Sequence, residues 1–121
     1  MSDISNAKGF STKAIHAGHD PFDFFGAVNP PVFLTSTYAQ KAPGEHQGYE
    51  YSRSGSPTRA ALEAQIAAIE GGSRGFAFSC GLGACDTVIK TLCKPGDHVL
   101  SADDVYGGTF RLFDKTFEHF G

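Results

Sequence analysis

From Ser56 onward the chain alternates helical and extended patterns, and that alternation restricts its fold more than any other feature. "SPTRAALEAQIAAIEGG" opens on Ser56, whose side-chain oxygen suits a helix N-cap, with Pro57 at the first helical position. Leu62, Ile66 and Ile69 fall at i, i+4 and i+7 on one face, and Gly71 and Gly72 stop the run. "GFAFS" then reads as a short buried strand. Residues 82–92 read as a second helix closed by "KPGD", and "HVLSA" as a second strand ending at Asp103 and Asp104. "TFRLFDKTFEHF" places Phe110, Phe113 and Phe117 at helical spacing. Helix, strand, helix, strand, helix is the order of an α/β domain with covered sheet faces. Two strands cannot complete such a sheet, so the chain is expected to be the opening third or less of a longer protein.

Residues 1–55 carry no long periodic segment. "DPFDFFGAVNPPVF" and "KAPGEHQGYEYSRSG" are rich in Gly, Pro and aromatics, and Phe and Tyr recur too often for a disordered composition. Such a segment, without helices of its own, is expected to wrap another surface as an intersubunit arm. The formal net charge of -3 over 121 residues gives no electrostatic reason to expect nucleic acid or an anionic membrane as partner. "MSDISNAKGFSTK" lacks the apolar core of a secretory signal, and no stretch approaches membrane-spanning length. Cys80, Cys85 and Cys93 form no C-x-x-C pair and do not cluster with His at zinc spacing. No metal site is expected, and the thiols read as reduced ones in a cytoplasmic protein.

Between the first strand and the second helix lies "SCGLGAC", residues 79–85. Small residues let the chain turn sharply and let a ligand approach the backbone. The helix that follows offers unpaired N–H groups and the positive end of its dipole, a combination suited to phosphate. Ser79 adds a hydroxyl donor. The dinucleotide pattern G-x-G-x-x-G fails because Asp86 takes its third glycine position, and no Gly-Lys-Ser or Gly-Lys-Thr follows. A tight turn without ligand stays open as the alternative. "YEYSRSGSPTR", residues 49–59, supplies partners for a phosphate: Arg53 is a planar cationic fork, and Tyr51 offers a phenol. If this stretch is extended, the side chains at 51 and 53 point the same way.

"YSRSGSPTR", "FAFSCGL" and "DDVYGGTFRLF", in that order, resemble the N-terminal third of the pyridoxal-phosphate (PLP) enzymes of cysteine and methionine metabolism. "NPPVFLTSTYAQ" and "PGEHQGYEYSR" fall in the same family order, and the resemblance runs from "TKAIHAGHDP" to the end. It is nearest to the cystathionine γ-lyase branch of these trans-sulfuration enzymes, on "SRSG", "CGL" and "DDVYGGT". The resemblance implies an incomplete α/β fold of the aspartate-aminotransferase-like, fold type I class. Residues 56–121 would begin the large PLP-binding domain, and 1–55 would be the intersubunit arm. It implies a carbon–sulfur lyase that binds pyridoxal 5'-phosphate and a small sulfur amino acid, in a homo-oligomer whose sites are shared between subunits.

By the same resemblance, the backbone amides of Gly81 and Leu82 hold the cofactor phosphate, and Tyr51 and Arg53 reach it from the neighbouring subunit. Tyr106 stacks on the pyridine ring and assists proton transfer. Arg53, Tyr106 and Arg111 bind substrate. Departures from the family pattern are Ser56 for Asn, Cys80 for Ser, and Gly83 and Cys85 for Ala and Thr. Cys80 is read first as a small structural residue. The family's reactive lysine sits in a Ser-x-Thr-Lys context, and its pyridine-nitrogen acid also lies downstream, both beyond residue 121. Lys13 in "FSTKAIH" is a decoy in the arm, and Lys8, Lys41, Lys90, Lys94 and Lys115 have no suitable context. These 121 residues alone are therefore expected to be inactive. The competing readings are a cystathionine γ-synthase or methionine γ-lyase, a nucleotide-binding module, and a truncated product acting through dimer contacts.

Overall fold

Ser56 begins the first long helix as its side chain dictates. In the computed structural model, which describes residues 9–121, Ser56 is extended (φ -149°, ψ 152°) and its Oγ accepts the Arg59 N–H at 3.2 Å. Pro57 follows at the first helical position, where its missing N–H leaves no bond unmade. Among the described residues the first helix is α1, Phe10–His16; the helix begun by Ser56, α2, spans Pro57–Glu70 and ends on Gly71 in the left-handed region at φ 67°. Replacing Ser56 by Ala is expected to destabilise the protein by about 1 kcal/mol, read as a lower midpoint in urea unfolding. Residues 1–8, with Lys8 and most of the stretch read as lacking a secretory signal, lie outside the described residues.

The described residues form two compact units, the first running to Ala77 and the second spanning Phe78–Gly121. In the first, the segment expected to be an arm without helices does have one. α1 escapes a periodicity reading because it is seven residues long and Gly9 provides no side-chain cap. It is held on α2: Gln65 Nε2 donates to the Ala14 carbonyl at 2.6 Å, and Ala17 is buried. Gly18 turns the chain away at φ +95°, so close to α2 that a Cβ there would collide with the Ala61 carbonyl. A short 3₁₀ turn, Pro21–Phe24, follows. The chain then returns to α2, where the Phe33 N–H donates to Thr58 Oγ1 at 2.9 Å. Thr37 and Tyr51 form an isolated antiparallel bridge.

The second unit contains α3, Gly81–Leu92, and α4, Gly107–Arg111. α3 starts one residue before the expected Leu82 and stops where expected. The last segment is not one continuous helix: α4 widens into a π-helical stretch, Leu112–Thr116, and tightens to a 3₁₀ turn, Phe117–Phe120. The change keeps Leu112 buried and Phe113 beside Phe117, with ring centroids 6.4 Å apart.

The two expected strands require a correction. Neither "GFAFS" nor "HVLSA" is a strand among the described residues, and neither is buried: Phe76 is 69% and Leu100 92% exposed. A strand exists only through ladder bonds to a neighbour, and among the described residues these segments have none. Ala17, Ala67 and Leu112 are the buried hydrophobic residues among those described, each keeping a small exposed remainder.

Candidate functional site

The start of α3 is built by an unusual cap. Cys80 is extended (φ -159°, ψ 159°), its Sγ accepts the Gly83 N–H at 3.3 Å, and its carbonyl accepts the Ala84 N–H at 3.2 Å. The amides between them, of Gly81 and Leu82, have no acceptor among the described residues. Apart from its chain neighbours and its own helix backbone, no described atom lies within 4 Å of the point where a Cβ on Gly81 would stand. The first turn of α3 carries no acidic side chain. Two unclaimed donors, an open approach and the positive end of a 12-residue helix fit an oxyanion such as phosphate. Cys80 thus acts as a small capping residue, its sulfur engaged by Gly83.

Tyr106 stands at the entry to α4 and is 75% exposed. One side of its ring lies against buried Gly108, where a Cβ would come within 2.5 Å of ring atom Cε1. The ring therefore rests on bare backbone and is open to an aromatic partner, the arrangement a stacking contact requires. Arg111 ends the same helix with an exposed side chain.

Tyr51 and Arg53 belong to the first unit. The stretch is not extended as supposed: the Ser54 and Gly55 N–H groups both donate to the Tyr51 carbonyl, at 3.1 and 3.0 Å, and make a turn. The turn still brings the pair together, with the Arg53 guanidinium 5.3 Å from the Tyr51 ring centroid. Such stacking holds the cation over the ring face while its N–H edges stay available.

A hollow of about 860 Å³ in the first unit includes none of these residues. It is bordered by His19, Asp20, Phe33, Tyr38 and Tyr49, and the buried Tyr38 hydroxyl has no hydrogen-bond partner among the described residues. No sequence motif pointed to it. Two residues that support the expected site were also missed, Arg59 and Gly108. The only signal for Arg59 was its place three residues after the Ser56 cap, and for Gly108 the doubled glycine after Tyr106. Among the described residues no His, Cys, Asp or Glu group is arranged to hold a metal ion.

Comparison with known proteins adds an independent line. Residues 11–121 match the family described as Cys/Met metabolism PLP-dependent enzyme. The chain is 52% identical over 113 residues to a probable cystathionine gamma-synthase of Herpetosiphon aurantiacus, covering 93% of this chain and 35% of that protein. It is 55% identical over 104 residues to a cystathionine beta-lyase of Coxiella burnetii, covering 86% of this chain and 27% of that protein. Among solved structures, it superposes on cystathionine gamma-lyase from Lactobacillus plantarum, complexed with L-serine, with a TM-score of 0.83 and 50% identity. That match covers 93% of this chain and 29% of the other. The chain thus spans about a third or less of the relatives it matches.

Proposed function

Because this chain belongs to the Cys/Met metabolism PLP-dependent enzyme family, and with it to the α/β fold type I class of PLP enzymes, we propose that it is the N-terminal portion of a carbon–sulfur lyase of trans-sulfuration. The proposed reaction is that of cystathionine γ-lyase: cystathionine and water give cysteine, 2-oxobutanoate and ammonia. The observation that carries the reading is the pair of unclaimed amides, Gly81 and Leu82, at the open start of α3. When bound, PLP supplies an electron sink for charge developing next to the substrate amino group.

This chain's own residues grip and orient. The Gly81 and Leu82 N–H groups hold the phosphate oxygens. Tyr51 and Arg53 reach the same phosphate from a neighbouring subunit, carried by the arm of residues 1–55, while residues 56–121 begin the cofactor domain. Tyr106 covers one face of the pyridine ring and holds a proton on its phenol oxygen, and Arg111 pairs with a substrate carboxylate. The assembly is a cytoplasmic homo-oligomer, a tetramer. No helix among the described residues is long and apolar enough to cross a membrane. A γ-synthase is the second reading, favoured by the 52% identical relative of that name.

The test is product analysis with the full-length protein and cystathionine. Cysteine with 2-oxobutanoate is the expected outcome. Homocysteine with pyruvate would show cleavage on the other side of the sulfur and refute γ-elimination, and failure to cleave would favour the synthase. The 121-residue chain alone, treated with PLP and borohydride, is expected to retain no cofactor on Lys13 by peptide mass, because the reactive lysine lies elsewhere.

A further inference from the structure

Arg59 sits in the first turn of α2, yet its side chain serves the turn before the helix. Nη1 donates to the Arg53 carbonyl at 3.2 Å and Nη2 to the Ser54 carbonyl at 2.6 Å. These carbonyls belong to the turn that the Tyr51 carbonyl closes by accepting the Ser54 and Gly55 N–H groups. The helix start does not depend on this guanidinium, because Ser56 Oγ already caps the Arg59 backbone N–H. Nor does Glu63 absorb it: that contact, at 3.7 Å, involves side chains 35% and 27% exposed, and such pairs contribute little. The guanidinium's short bonds both go to the turn. A planar fork spanning two successive carbonyls fixes the peptide between them, and the Arg53 side chain departs from one end of that peptide.

We infer that Arg59 is a positioning residue that aims the Arg53 guanidinium at its anion. The inference rests on the reading of Arg53 as a cofactor-phosphate ligand and goes beyond it, since that reading gives Arg59 no role and its short side-chain bonds go to the turn. Arg59 locks the turn, the turn holds Arg53 over the Tyr51 ring, and the Arg53 N–H edges are left pointing in a fixed direction.

The experiment titrates PLP into the full-length apoprotein and follows both the dissociation constant and the ³¹P resonance of the bound phosphate. Arg59→Ala is expected to raise the dissociation constant roughly tenfold and to move the resonance, through the loss of two charge-assisted bonds. Arg59→Lys keeps the charge but cannot span both carbonyls, and is expected to fall in between. Arg53→Ala is expected to lose more, and adding Arg59→Ala to it is expected to lose nothing further, the mark of two residues acting as one.

If Arg53→Ala leaves binding unchanged, the phosphate reading fails and this inference with it. If Arg53→Ala weakens binding while Arg59→Ala leaves the constant and the resonance in place, the reading survives and the inference is overturned, even if the melting temperature drops. Additive losses also overturn it. Should Arg59→Ala fail to fold, the same comparisons are made with Arg59→Lys.

Discussion

Gly18→Ala is expected to destabilise the protein by about 2–5 kcal/mol in chemical denaturation, the largest stability effect anticipated for any single methyl group added here. Two independent penalties meet at this position. The backbone sits at φ +95°, which L side chains rarely adopt, and the added Cβ would strike the Ala61 carbonyl and lie 3.2 Å from the Gln65 backbone nitrogen. Both obstacles are backbone of α2, so relief requires moving α1 off the helix. That motion would break the bond from Gln65 to the Ala14 carbonyl and uncover Ala17. Gly26 provides the control. It has φ +83° with nothing within 4 Å of its would-be Cβ, so Gly26→Ala should carry only the conformational penalty, about 1–2 kcal/mol. Equal losses at the two glycines would show that the approach of α1 to α2 is not as close as described.

Gly81→Pro is expected to leave α3 folded and to weaken PLP binding about 10- to 100-fold, the equivalent of one hydrogen bond to a charged group. Few positions allow so selective a change. Proline is favoured at a first helical position, the extended Cys80 before it satisfies the restriction on a pre-proline residue, and the space beside Gly81 is open. The substitution removes one N–H and no bond within the described chain. Circular dichroism should show the helix content retained, while a titration followed by cofactor absorbance shows the loss. Unchanged affinity with an intact helix would mean that the Gly81 amide faces no phosphate.

What could be read beforehand was local chemistry. The Ser56 oxygen, the Pro57 ring and the glycine at 71 each act within a turn or two of the backbone, so α2 begins and ends where its residue types say it should. The glycine turn before α3 is of the same kind. What could not be read depends on partners distant in sequence. Residues 75–79 have the apolar character of a strand, but a strand is defined by its neighbour. α1 has no cap and is too short to show a period, and its place is set by the α2 backbone at Ala61 and Gln65. Phe110, Phe113 and Phe117 satisfy helical spacing whether or not the ladder widens after Arg111, so the π-helical stretch leaves no trace in the pattern.

The candidate site divides in the same way. Gly81, Leu82 and Tyr106 announce themselves by motif. Tyr51 and Arg53 are neighbours not through alternation along an extended stretch but through a hydrogen-bonded turn. Arg59 was invisible because it addresses carbonyls, which every residue has. Gly108 was invisible because its contribution is the room it leaves for a ring.

The bare segments around Phe76 and Leu100 have one more consequence. Backbone groups that have not met a partner do not discriminate between the right one and a stray copy of themselves. Exposed apolar side chains such as Phe76 and Leu100 on such backbone make pairing with another copy of the chain a route to clumping.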